Sequence, residues 1–92
     1  MTPEQAVEAV RPEFERTRAD YHWHDWDLSV YQPRPDKGHP GGVRVTLRAP
    51  GDRALCRVMS TWDVEALAPR GLVDGAVRDW MHFLAWKIGA RS

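Results

Sequence analysis

Residues 43 to 62, VRVTLRAPGDRALCRVMSTW, decide the fold because two alternating segments flank Pro50-Gly51. Alternation of apolar with polar residues is typical of a half-buried strand, and Pro-Gly suits the centre of a type II turn. We therefore predict a hairpin with one apolar face. That face consists of Val43, Val45, Leu47, Ala49, Ala54, Cys56, Val58, Ser60 and Trp62. The opposite face consists of Arg44, Thr46, Arg48, Leu55, Arg57, Met59 and Thr61.

Another strand is predicted before the hairpin, over residues 21 to 31, which are rich in aromatic and β-branched side chains. Residues 32 to 42, QPRPDKGHPGG, contain three prolines and three glycines, which predicts a long, exposed and mobile loop. Alternation divides the first strand into two faces. The inner face consists of His22, His24, Trp26, Leu28 and Val30, and the outer face of Tyr21, Trp23, Asp25, Asp27, Ser29 and Tyr31.

Helices are predicted at both ends of the chain. Thr2 and Gln5 suit a capping box for a helix that ends near Asp20, with a kink or restart caused by Pro12. Asp63 suits the cap of a short turn over 64–67. Apolar residues at helical spacing then predict a long helix over 72–89. The expected fold class is α+β, in the order helix, three-stranded antiparallel sheet, helix, with both helices on one face of the sheet.

Length and composition bound the class of protein. The chain has 92 residues, 42% of them hydrophobic and 28% charged, which fits a single globular domain over 1–92. Basic and acidic residues balance, so the net charge indicates neither a nucleic acid nor a membrane as partner. One cysteine cannot form an internal disulfide, and no signal-peptide or membrane-spanning pattern is present. We therefore expect a cytoplasmic protein.

The face of the sheet that the helices leave open is the first candidate binding surface. Aromatic side chains and arginines dominate the binding energy of protein interfaces, so we predict a protein partner for this face. The predicted contact residues are Tyr21, Trp23, Tyr31, Arg34, Arg44, Arg48 and Arg57. Two alternatives stay open: a solvated face with weak ion pairs, and a register shift that would expose His22, His24 and Trp26 instead.

The last helix carries the second candidate surface. Phe83 and Trp86 lie off its main apolar stripe, so one small sheet is too narrow to cover both. We predict that they form a homodimer interface, since most soluble oligomers are two-fold homodimers. In the alternative, a monomer covers Phe83 in its core and Trp86 under the first helix.

Catalytic and metal-binding patterns are weak, and we predict a non-catalytic protein without a cofactor. His22 and His24 are candidate zinc ligands only if His39, His82 or an aspartate joins them, and they suit packing beside Trp26 equally well. Cys56 is expected to be an inert core thiol. Residues 38–42, GHPGG, lead into a strand rather than a helix, so they lack the dipole of a phosphate-binding loop.

The order of elements resembles that of double-stranded RNA-binding domains. Those domains carry a lysine cluster at the start of the last helix, whereas residues 69–74 here are PRGLVD, with a single arginine and an aspartate. Arg44, Arg48 and Arg57 on the hairpin, with Arg34 and Lys37 in the loop, are the residues that would contact phosphates. Nucleic-acid binding is therefore the alternative to protein binding.

Overall fold

The computed structural model describes residues 1–21, 25–49 and 53–89, and it has the predicted α+β architecture. The helices are α1 (Pro3–Asp20), α2 (Thr61–Leu67) and α3 (Val73–Gly89), and the strands are β1 (Trp26–Tyr31), β2 (Gly42–Ala49) and β3 (Arg53–Ser60). The strands form one antiparallel sheet in the order β1-β2-β3. α1 packs on β1 and β2, and α3 packs on α1, β2 and β3. Both long helices thus cover the same face of the sheet.

α1 begins as the sequence predicts but does not restart at Pro12. The Thr2 side chain accepts a hydrogen bond from the Gln5 N–H, and the Gln5 side chain accepts one from the Thr2 N–H. The helix continues through Pro12 to Asp20. Proline removes one backbone hydrogen bond, and burial of Val10 and Phe14 on either side of it holds the helix together.

The strands β1 and β2 present the predicted faces. Trp26 is buried and Leu28 and Val30 are partly buried against the core, while Asp27 and Ser29 are exposed. Val43, Val45 and Leu47 of β2 are buried. β1 is shorter than expected, since it begins at Trp26 rather than at residue 21. Residues 22–24 lie outside the described residues.

The predicted faces of β3 are wrong by one residue. Ala49 pairs with Arg53, so residues 50–52 connect the strands, whereas a two-residue Pro50-Gly51 turn would pair Ala49 with Asp52. A shift of one residue moves every side chain of a strand to the other face. The faces are therefore exchanged: Leu55, Arg57 and Met59 lie on the helix side, and Ala54, Cys56 and Val58 lie on the open side. The turn type itself falls outside the described residues.

With the faces of β3 exchanged, its larger apolar side chains are buried in the core. Met59, opposite Val43, is 2% exposed, and Leu55, opposite Leu47, packs against the core. Burying Met59 and Leu55 removes more apolar surface from water than burying Val58 and Ala54, which would stand opposite Val43 and Leu47 in the predicted register. Cys56 is consequently an exposed thiol and not the core residue that we expected.

A buried carboxylate links the two long helices. Glu13 of α1 is 2% exposed, forms an ion pair with Arg16, and lies 4.0 Å from the Arg78 guanidinium of α3. The Thr17 hydroxyl donates a hydrogen bond to Oε1 of Glu13, at 3.3 Å. The charge of Glu13 is therefore compensated from both helices, as burial of a charged group requires.

The segment after β3 differs from the predicted short turn. Ser60, not Asp63, caps α2: its hydroxyl accepts a hydrogen bond from the Asp63 N–H, and the Asp63 carboxylate accepts one from the Ser60 N–H. Trp62, which we expected on the inner sheet face, is exposed at the start of this helix.

The 32–42 segment is exposed over residues 32–38, as predicted, and contains a defined turn. Arg34 and His39 form a backbone bridge around a 3-10 turn, Pro35–Lys37. Gly41 and Gly42 are buried, and Gly42 is already part of β2. A Cβ at Gly42 would overlap the Met59 carbonyl oxygen, so close approach of β3 requires glycine there.

Candidate functional site

The face of the sheet away from the helices, called here the open face, is the first candidate surface. Pairing places its side chains in rows across the three strands. The open face consists of Asp27, Ser29, Tyr31, Arg44, Thr46, Arg48, Ala54, Cys56 and Val58. It contains three of the seven predicted contact residues, namely Tyr31, Arg44 and Arg48.

A stacked cluster occupies the Tyr31 end of the open face. The Arg44 guanidinium lies 5.0 Å from the centre of the Tyr31 ring, and the His39 ring meets Tyr31 edge-on at 5.0 Å. The His39 Nδ1 accepts a hydrogen bond from the Gly41 N–H, which fixes the imidazole. Among the described residues, Arg44 has no acidic partner. The contact with Tyr31 holds the Arg44 guanidinium in place and leaves it accessible to a ligand.

The other arginine of the open face is paired. Arg48 Nε lies 2.6 Å from Asp27 Oδ2, and the two side chains are 71% and 50% exposed. Such a pair contributes under about 1 kcal/mol to stability in water. It nevertheless lowers the net positive charge of this end of the face.

The structure does not bring Tyr21, Arg34 or Arg57 to the open face. Tyr21 is the C-cap of α1, not the first residue of a strand, and it contacts His82 of α3, with ring centres 4.9 Å apart. Arg57 lies on the helix side owing to the shifted register of β3. Arg34 belongs to the turn before β2, where it pairs with Asp36 at 3.4 Å. Trp23 falls outside the described residues.

The second candidate surface, called here the aromatic patch, consists of Arg57, Trp80, Phe83, Trp86 and Lys87. Phe83 and Trp86 are 42% and 67% exposed, and their ring centres are 6.3 Å apart. Both predicted dimer residues thus lie side by side on the surface of α3. Their exposure agrees with the expectation that a single small sheet leaves them uncovered.

Two cations complete the aromatic patch. The Arg57 guanidinium lies 5.2 Å from the ring centres of both Trp80 and Phe83, and Lys87 Nζ lies 5.8 Å from that of Phe83. Within residues 1–21, 25–49 and 53–89, neither cation forms an ion pair. Sequence reasoning missed this arrangement because it placed Arg57 on the opposite face. Arg57 is assigned to the helix side only if three residues, rather than two, connect β2 and β3.

The histidines and a cleft between α1 and α3 are further candidate features. His22 and His24 fall outside it, and no group of three or more histidine, cysteine, aspartate or glutamate side chains within it could hold a metal ion. A cleft of about 170 Å³ lies between α1 and the start of α3. Its lining is Ala9, Ala68, Gly71, Val73 and Asp74, so a single carboxylate is its only ionisable group.

The fold and its surfaces define a small α+β domain with an open sheet face and an aromatic patch beside an edge strand. No family model, curated protein or solved structure matches this chain. None of the helices in the described residues has the length and apolar character needed to cross a membrane.

Proposed function

We propose that this protein is a small, non-catalytic protein-binding module that forms a homodimer through Phe83 and Trp86 and binds another protein with its open face. The observation that carries the proposal is the exposure of two adjacent large aromatic side chains on α3. We place the protein in the cytoplasm, because an exposed single thiol, Cys56, fits a reducing compartment.

The energetics of the aromatic patch favour a protein partner. An aromatic side chain buries about 150–250 Å² in an interface. At about 25 cal/mol per Å², covering the exposed two thirds of Trp86 contributes about 3 kcal/mol before the costs of association. Aromatic residues beside arginine are also the composition of binding hot spots.

The open face suits a second interaction. Tyr31 and Arg44 are already held against each other, so little side-chain entropy is lost when a partner contacts them. An arginine without an acidic partner favours a carboxylate on the protein that binds, in a two-pronged hydrogen-bonded pair. A phosphate would satisfy Arg44 in the same way, so nucleic acid remains the alternative partner for this face.

Sedimentation equilibrium of Trp86→Glu tests the dimer. We expect the parent chain to be dimeric at micromolar concentration and the variant to be monomeric, because a carboxylate beside Phe83 would be buried at the interface. Trp62→Glu is the matched control, since Trp62 is 62% exposed on α2 and should leave the dimer intact. A monomeric parent chain would contradict the proposal.

Affinity capture with open-face variants tests the second interaction. The parent, Tyr31→Ala/Arg44→Glu and the control Arg70→Glu are used as baits in extract from the cells that make the protein. We expect at least one protein to be retained by the parent and by Arg70→Glu but lost with the double variant, with unchanged melting temperatures. Retention of RNA or DNA instead, with affinity falling steeply as salt rises, would support the nucleic-acid alternative. Identical captures with all three baits would refute a role for this face.

A further inference from the structure

We infer that the partner copy in the dimer docks on the edge of β3, so that two β3 strands pair antiparallel about a two-fold axis at Cys56 and two three-stranded sheets become one. This inference rests on the proposed homodimer and specifies its geometry. Besides the contact between aromatic patches, it specifies backbone pairing of the two β3 strands and the register of that pairing.

The backbone of β3 has unused hydrogen-bonding groups on its outer edge. The Thr61 N–H donates to the Gly41 carbonyl, and the Arg48 N–H donates to the Asp25 carbonyl. Hydrogen-bonded pairs alternate in antiparallel sheets, so Leu55, Arg57 and Met59 bond to β2. The N–H and C=O groups of Ala54, Cys56 and Val58 then point away from the sheet. No strand of the described residues lies beyond β3.

The sequence of β3 selects the register of the pairing. A two-fold axis at Leu55 would place Arg53 opposite Arg57 of the partner copy, and an axis at Arg57 would place two copies of Arg57 opposite each other. Like charges directly opposite destabilise a strand pair. An axis at Cys56 pairs residues 53 to 59 of one copy with 59 to 53 of the other, and each Arg57 then faces a Leu55. It combines a long overlap with the absence of facing arginines.

The same axis brings the aromatic patches together. α3 lies above β2 and β3, and Arg57 of β3 touches Phe83, so the patch lies on the β3 side of α3. Strands are spaced about 4.8 Å apart, so a helix above the boundary of β2 and β3 would lie about 10 Å from its counterpart across the axis. That is the distance between packed helices.

The aromatic patch is complementary to itself, which identifies a second copy as the occupant. It holds two cations without acidic partners in the described residues and an exposed indole, Trp86. Arg57 or Lys87 of one copy can lie over the indole face of the other, a contact that gains strength as water is excluded. The edge strand and the patch are covered in one step.

Crosslinking at Cys56, the chain's single cysteine, tests the register. Directly opposite residues in a hydrogen-bonded pair have Cα atoms about 5.5 Å apart. A bifunctional methanethiosulfonate with a two-carbon spacer should therefore convert most of the dimer into a covalent species on non-reducing gels. Ala54→Cys/Cys56→Ser and Val58→Cys/Cys56→Ser are the matched controls. Their thiols would be about 13 Å apart along the sheet, beyond that spacer, so we expect at least a tenfold lower yield.

The outcomes separate this inference from the proposed function. A dimer in sedimentation that crosslinks at 56 but not at 54 or 58 supports both. A dimer that is lost in Trp86→Glu but does not crosslink at Cys56, or crosslinks equally at all three positions, overturns the β3 pairing and leaves the proposed dimer standing. A monomeric chain overturns both.

Discussion

The two faces of the sheet use arginine differently. On the open face, Arg48 pairs with Asp27 in water and Arg44 lies over Tyr31. On the helix side, Arg57 lies between Trp80 and Phe83 and has no acidic partner in the described residues. Arginine thus covers aromatic rings on both faces, and on the open face it also forms an exposed ion pair. A face cannot be assigned from residue type alone.

The largest expected difference in the free energy of unfolding is between variants on the two faces of β3. Met59→Ala should lower the free energy of unfolding by about 2–5 kcal/mol, because Met59 is buried opposite Val43 and the change leaves a cavity. Val58→Ala, next to it on the open face, should cost under about 1 kcal/mol. Urea denaturation measures both. Equal losses would mean that both faces of β3 are covered.

The buried Glu13 is expected to contribute more to stability than the exposed pair of Arg48 and Asp27. Glu13→Ala should cost about 1–2 kcal/mol, since it removes two hydrogen bonds within α1 and the ion pair with Arg78 of α3. The remaining Arg16 and Arg78 are more than half exposed and stay hydrated, so the cost should fall below that of a fully buried broken pair. Glu13→Gln keeps the volume and should lose less. Thermal and urea unfolding that leave Glu13→Ala as stable as the parent would contradict a structural role for the carboxylate.

Arg57→Ala should cost about 0.5–1 kcal/mol in a monomeric background such as Trp86→Glu, because it removes the cation from two rings. Arg57→Lys keeps the charge without the planar guanidinium, so it should recover only part of the loss. The measurement is urea denaturation of the variants side by side. A stability gain in Arg57→Ala would show that Arg57 is retained for binding at the expense of stability.

The smallest effect concerns the open face. Arg48→Ala should change the free energy of unfolding by under about 0.5 kcal/mol, because both members of the pair with Asp27 are exposed. Its contribution should shrink further in 0.5 M salt, where about 4 Å of screening length remains. A double-mutant cycle with Asp27→Ala gives the coupling energy. A coupling above about 1 kcal/mol would mean that this face is more shielded from water than its exposure indicates.

Much of the fold follows from local sequence patterns. The capping box of Thr2 and Gln5 begins α1, and alternation in 26–31 and 43–47 assigns the inward faces of β1 and β2. The exposed positions of Phe83 and Trp86 follow from the helical spacing of α3. These features depend on residues close in sequence, so a local pattern contains the information needed.

The candidate surfaces were harder to predict because they depend on contacts between elements. Alternation in β3 fits either face, since Leu55 and Met59 are as apolar as Cys56 and Val58. Tyr21 ends α1 and contacts His82, which no pattern in 21–31 indicates. Asp63 looked like a cap, yet Ser60 performs that role once β3 ends there.

The amino-acid sequence by itself determined the order of the strands and the two long helices, the start of α1 and the apolar sides of β1, β2 and α3, since hydrophobic periodicity and capping chemistry act within a few residues. Only the tertiary structure decided which side of β3 meets the helices and hence where Arg57 and Cys56 lie. The physical reason is that three residues, rather than two, connect β2 and β3, which moves every side chain of β3 to the other face of the sheet. The burial of Met59 opposite Val43 selects that register.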